Sequence, residues 1–192
     1  MFDSEKMKFE VSFMGGKQAG CVGLLSLYAI DCKVISIVAY DYSVKKLAEV
    51  LKIPVFSSIK EKKFLEYLKK SDLLVSCHGR EIVPADILKM PRICCINAHP
   101  NLYKHKGSNP IERLLENGDT KASVGVHYMS EKVDVGKTIV EKIVDISGKN
   151  TVAEVYNELY PYYSYVIIEA INRIYHTTQL SANGKIDTIH KI

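Results

Sequence analysis

Val34-Ile35-Ser36-Ile37-Val38-Ala39-Tyr40 is a near-continuous apolar run. A half-exposed strand alternates apolar with polar residues, whereas an unbroken run marks a strand covered on both faces. Shorter runs of the same kind flank it, at residues 9–14, 53–56, 73–77 and 93–97. Helical patterns lie between them: residues 19–29 after the Gly15-Gly16 break, 44–51, 61–70 with Phe64, Leu65 and Leu68 on one face, and a short one over 84–89. This alternation predicts an α/β fold, with a Rossmann-like, mostly parallel sheet and helices on both of its faces.

After residue 100 the texture changes. Asn109-Pro110-Ile111-Glu112 reads as a helix start, with Asn as cap and Pro in the first turn, and Asn117-Gly118 reads as its stop. Residues 123–129 and 137–146 read as a late antiparallel strand pair joined by the loop 130–136. Thr151-x-x-Glu154 is a capping box that opens a long C-terminal helix, which Pro161 is expected to kink. With no internal repeat and no low-complexity linker, the chain divides into one domain over 1–178 and a polar tail over 179–192.

Composition narrows the classes. The 192 residues are 47% hydrophobic and 25% charged, the profile of one soluble domain able to bury a full core. Lys and Arg number 26 against 22 Asp and Glu, a net charge of +4 with no block of like charges. That argues against a DNA-coating protein and suits small anionic substrates. No run approaches the ~18 apolar residues of a membrane span, and the charged start MFDSEKMKFE has no apolar signal segment. Cys21, Cys32, Cys77, Cys94 and Cys95 form no CxxC pair. They read as buried free thiols in a reducing, cytoplasmic compartment, and neither they nor the six His show metal-ligand spacing, so no metal is expected.

The chemistry concentrates after the fifth strand, in Asn97-Ala98-His99-Pro100 and the basic stretch Lys104-His105-Lys106-Gly107. In an open α/β sheet the carboxyl ends of the strands border the ligand crevice. Asn97 and His99, two residues apart, can point to one side of an extended end. An Asn amide can donate to a developing oxyanion, and a His can carry a proton near neutral pH. Asp134 lies in the later loop VDVGK, where it could orient His99 if the two meet. The glycine cluster GGKQAG is neither GxGxxG nor GxxxxGK[ST], although the helix it opens could receive an anion. His127 falls opposite in phase to Val124 and Val126 and reads as a satisfied structural histidine.

The run from Ile96 to Ile143 resembles the folate-dependent formyltransferase family. Members include glycinamide ribonucleotide transformylase, methionyl-tRNA formyltransferase and the sugar-nucleotide N-formyltransferases. The landmarks are N-x-H-P at Asn97, His99 and Pro100, then Lys106-Gly107, Asn109-Pro110-Ile111, Asn117-Gly118-Asp119, and D-x-G at Asp134 and Gly136. The resemblance implies formyl transfer from N10-formyltetrahydrofolate to a primary amine, with Asn97, His99 and Asp134 catalytic. It also implies a pterin hinge at His78, Gly79, Arg80, Glu81, Ile82 and Val83, bound mainly through main-chain groups, so that the Glu81 side chain should matter little. The loop from Ser130 to Gly136 would close over the pterin.

The departures bear on the acceptor. Here H-P-N-L-Y-K-H-K-G stands where the family commonly reads H-P-S-L-L-P-x-Y-R-G, and the first turn lacks the G-S-G-S-N phosphate loop of glycinamide ribonucleotide transformylase. The chain also stops short of a tRNA-binding domain. A small amine acceptor, best a nucleotide-linked amino sugar, is therefore expected at Lys17, Lys104, His105, Lys106 and Gly107, in a monomer or homodimer with no DNA or membrane partner. The alternatives are glycinamide ribonucleotide or methionyl-tRNA-type transfer, formyltetrahydrofolate hydrolysis, a silent binding module, and a dinucleotide dehydrogenase lacking its GxGxxG.

Overall fold

A computed structural model of the chain describes residues 9–182. Residues 1–8 of the charged start and the last ten residues of the expected polar tail lie outside the described residues. Strands β1 (Glu10–Gly15), β2 (Lys33–Ala39), β3 (Val55–Phe56), β4 (Leu73–Cys77), β5 (Cys94–Pro100), β6 (Lys121–Tyr128) and β7 (Thr138–Asp145) form one sheet, ordered β3-β2-β1-β4-β5-β6-β7. Neighbours are parallel from β3 through β5, and β6 and β7 join antiparallel. Helices α1 (Lys17–Ala29), α2 (Tyr42–Val50), α3 (Lys62–Leu68), α4 (Ala85–Leu88), α5 (Pro110–Glu116) and α6 (Val152–Ala182) complete the fold.

Successive side chains on a strand point to opposite faces, and here both faces are apolar. Val11, Phe13, Ile37, Val75, Ile96 and Ala98 pack on one side with α1, α2, α5 and α6. Met14, Val38, Leu74 and Cys95 pack on the other with Phe64 and Leu68 of α3 and Ile87 of α4. Two-sided burial is why these strands read as unbroken apolar runs. Adjacent Cys94 and Cys95 do fall on opposite faces.

Three local expectations change. β5 continues to Pro100, three residues past Asn97, because β6 pairs with it from Ile96↔Tyr128 to Pro100↔Val124. Asn109 does not cap α5 with its side chain. Its backbone is left-handed (φ 48°), and it is the main-chain carbonyl that receives Arg113 N at 3.3 Å. The helix α6 runs through Pro161 to Ala182, beyond the expected boundary at 178. The capping box forms as expected, Glu154 N donating to Thr151 Oγ1 at 3.2 Å while Thr151 N donates to Glu154 Oε2 at 3.0 Å.

The strand order reverses between β2 and β4 on either side of β1, so the carboxyl ends of β1, β4 and β5 border a crevice. Among the described residues, no helix is long and apolar enough to cross a membrane. The core and the outer strand should respond differently to truncation. Phe13→Ala, at a fully buried β1 position, should cost about 3–5 kcal/mol in urea unfolding. Ile143→Ala, on β7 and 53% exposed, should stay within about 0.5 kcal/mol. Equal losses would contradict this layering.

Candidate active site

Asn97 and His99 sit on β5 beside the antiparallel β6, and the register places Asn97 across from His127 and His99 across from Gly125. A side chain at Gly125 would meet Leu102 Cδ2 at 2.8 Å. The loop between β6 and β7 then returns over the strand ends. At Gly136 an added Cβ would lie 1.7 Å from the Tyr128 carbonyl oxygen, so only glycine permits the close pass that folds this loop inward. The loop delivers Asp134, itself left-handed (φ 53°), to a position only 7% exposed.

Four groups converge on that carboxylate. His99 Nε2 lies 3.1 Å and Gly107 N 2.9 Å from Oδ2, while His127 Nε2 lies 3.3 Å and Asn97 Nδ2 3.4 Å from Oδ1. Burial pushes the Asp134 carboxyl up, but hydrogen bonds from His127 and His99, the charge of His99 and the Gly107 amide outweigh it and hold the group well below the usual range.

The proton positions follow from the partners. His99 Nε2 faces Asp134 and also the Gly107 carbonyl at 3.1 Å. Both only accept, so Nε2 carries hydrogen. Nδ1 is buried without a protein partner and is the uncommitted nitrogen. His127 Nδ1 donates to the Tyr128 carbonyl at 2.8 Å. Its Nε2 then either accepts from Asn97 Nδ2 at 3.4 Å or, with a second proton, donates to Asp134. His127 is thus satisfied on one nitrogen, as expected, and part of the site through the other. Its sequence position gave no sign of the second role, because that depends on the β5–β6 register.

Two cavities, each near 360–380 Å³, meet at Asn97 and His99. Ser76, Ile82, Val83, Met129, Ser130 and Asp134 line the first, which is the more apolar. Lys17, His78, Asn109, Glu112 and Tyr156 line the second. Gly79, Arg80, Gly107 and Ser108 border both, and Glu81 borders the first.

The residues expected to bind ligands therefore divide. His78 faces the second cavity, not the first. Its Nε2 lies 3.0 Å from the buried Tyr163 hydroxyl and its ring meets Tyr156 edge-on. Burial, with Lys17 and His99 nearby, lowers its pKa to about 4, so the ring is neutral near pH 7. Lys17 and Gly107 reach the second cavity, but Lys104 and His105 are tied to Asp119, His105 Nε2 at 2.9 Å. Neither of these, nor Lys106, lines either cavity. The anion position at the start of α1 is occupied internally, since Asp41 Oδ2 accepts the Lys17 amide while Oδ1 accepts Val44 N at 3.1 Å. One carboxylate thus serves two helix N-termini. No cluster of His, Cys, Asp or Glu able to hold a metal occurs among the described residues.

Folding lowers the Asp134 carboxyl, so the stability it contributes is fully present above the unfolded value near ~3.9 and declines as the pH falls toward the folded value. In urea unfolding, the gap between wild type and Asp134→Asn should be widest near neutral pH and narrow in acid below that value. A gap that does not change with pH would contradict the assignment.

Residues 48–171 match the family model for formyl transferase. The bifunctional polymyxin resistance protein ArnA of Wigglesworthia glossinidia brevipalpis is 32% identical over 157 residues, which is 74% of this chain and 24% of that protein. The chain spans less than half the length of the curated relatives it matches. The phosphoribosylglycinamide formyltransferase structure from Bacillus halodurans superposes with a TM-score of 0.75 at 17% identity, covering 89% of this chain and 98% of that one. The Helicobacter canadensis N-formyltransferase, in complex with folinic acid and dTDP-3-aminofucose, gives 0.69 at 18% identity, covering 88% and 65%. On the family match and the fold together, the chain belongs to the formyl transferase family.

Proposed function

We propose that this protein transfers the formyl group of N10-formyltetrahydrofolate to a primary amine, the best candidate being the amino group of a nucleotide-linked amino sugar. The observation that carries the reading is the meeting of two cavities at Asn97 and His99, with Asp134 bound behind them. In this reading the more apolar cavity takes the pterin along residues 79–83, under the loop from Ser130 to Gly136. The polar cavity takes the acceptor. A hydrolase needs room only for water at the second position, so a separate cavity of this size favours transfer.

The acceptor nitrogen attacks the formyl carbon, and the Asn97 amide and protonated His99 stabilise the tetrahedral oxyanion. The carbon–N10 bond then breaks. As that bond breaks, the imidazolium gives the proton on Nδ1, the nitrogen not held by Asp134, to N10, and Nδ1 then takes the proton that the amine loses. Asp134 holds the other face of the ring and balances the imidazolium charge. No covalent enzyme intermediate is required.

The Asp41 carboxylate at the α1 N-terminus disfavours an acceptor that seats a phosphate there, which weighs against glycinamide ribonucleotide. Lys17 and Arg80, at the rim of the acceptor cavity, remain as cations for a nucleotide diphosphate. The five free thiols suit a reducing, cytoplasmic compartment.

Incubating the protein with N10-formyltetrahydrofolate and a panel of nucleotide-linked amino sugars, glycinamide ribonucleotide and charged methionyl-tRNA should give tetrahydrofolate in step with one amino-sugar product. Release of formate without any amine would establish the hydrolase alternative. Preference for glycinamide ribonucleotide would overturn the acceptor and keep the chemistry. His99→Ala should lower turnover at least roughly a hundredfold without unfolding the protein, and near wild-type turnover would remove His99 from the mechanism.

A further inference from the structure

The segment from His78 to Pro84 leaves β4 with no regular secondary structure. Among the described residues, no main-chain N–H or C=O of Gly79, Arg80, Ile82 or Val83 makes a hydrogen bond within the chain, and the Glu81 amide turns toward the Tyr40 hydroxyl. Those free groups suit a heterocycle bound through main-chain atoms, but they leave the segment's own position unexplained. A strand or helix is held by its ladder, and this segment must be held by side chains.

Alternate residues supply the anchors. At Gly79 an added Cβ would meet Ser76 Oγ at 2.7 Å and Met14 Cε at 2.8 Å, so the main chain passes close over the Ser76 and Met14 side chains. Val83 is 4% exposed and packs in the core beneath α3 and α4. Between them Arg80 and Ile82 face outward, Ile82 being 73% exposed. Glu81 is the remaining point of attachment. Its Oε1 accepts Ser58 Oγ at 2.7 Å, and its Oε2 accepts Tyr40 Oη at 2.9 Å and Ile59 N at 3.0 Å.

These donors come from elements that are themselves fixed. Tyr40 follows β2, and its main-chain N donates to Gly15 O at 3.0 Å. The Ser57-Ser58 turn is clasped by Glu61 Oε1, which accepts Ser57 N at 2.6 Å and Ser58 N at 3.2 Å. Burial disfavours the Glu81 charge, but the Ser58, Ile59 and Tyr40 hydrogen bonds prevail and keep the carboxyl below its usual value. Both carboxylate oxygens are therefore committed away from any ligand.

We propose that Glu81 is a positioning residue, a strut that ties the ligand-binding segment 79–83 to Tyr40 and the Ser58-Ile59 turn and so sets the geometry in which that segment meets a folate. This rests on the folate reading of the first cavity, and it reverses the expectation that the Glu81 side chain is dispensable. Neither Tyr40 nor Ser58 lines either cavity, so a strut predicts that residues out of reach of the ligand affect its binding.

The test is calorimetric titration of folinic acid into wild type, Glu81→Ala, Glu81→Gln and the double variant Tyr40→Phe/Ser58→Ala, with circular dichroism and melting temperature reporting on folding. Loss of three hydrogen bonds to this half-buried carboxylate should weaken binding by at least about tenfold in Glu81→Ala. The double variant should shift affinity in the same direction. Glu81→Gln, whose amide oxygen can still accept from Tyr40 and Ile59 and whose NH₂ can donate to the Ser58 hydroxyl, should recover most of the affinity. Unchanged affinity in folded Glu81→Ala would overturn the strut. So would a loss in Glu81→Ala or Glu81→Gln alongside wild-type affinity in the double variant, since Glu81 would then touch the ligand itself. Wild type that does not bind folinic acid would overturn the folate reading and this assignment together, an outcome distinct from wild type that binds with indifferent variants.

Discussion

The carboxyl end of β5 and the segments around it are arranged about one buried carboxylate, Asp134. An ionised Asp134 at that depth is costly unless its oxygens are met by donors. Four groups from three places surround it: β5 brings Asn97 and His99, β6 brings His127, and the segment after β5 brings the Gly107 amide. The same interactions fix Asn97 and the proton on His99 Nε2, close the loop over the strand ends, and hold β5, β6 and the Gly107 segment in one register. The loop therefore cannot relax without releasing the histidine.

The position of this cluster explains why a two-substrate reaction suits it. Asn97 and His99 form the wall shared by two cavities of similar size but different lining. A donor on the apolar side and an acceptor on the polar side would place their reacting atoms against the same two side chains. Neutral His78, engaged by Tyr163 and packed on Tyr156, anchors the wall of the more polar cavity to α6. Asp41 fills the α1 N-terminus with an internal carboxylate. The substrate preference inferred for this protein rests on such details and not on the fold, which unrelated acceptors share.

Much of the parallel half was legible because burial on both faces writes strands as apolar runs, and residues 73–77 were located to the residue. Asn97, His99 and Asp134 were legible as a family pattern at strand-end and loop positions. What was hidden depends on pairing between distant segments. His127 joins the site only because the antiparallel register sets it across from Asn97. Lys104 and His105 looked like a cationic rim until Asp119, fourteen residues beyond His105, turned both away. Glu81 looked dispensable because its three partners lie 22 to 41 residues upstream.

The central claim is that the Asp134-bound pair Asn97 and His99 is where the formyl group is handed over. A crystal structure with a non-transferable 10-formylfolate analogue tests it most directly. The account predicts the pterin along residues 79–83 and the formyl group at the junction of the cavities, its oxygen within about 3 Å of the Asn97 amide or His99 Nδ1. A pterin seated at the Gly15-Gly16 turn, or a formyl group pointing away from His99, would contradict it.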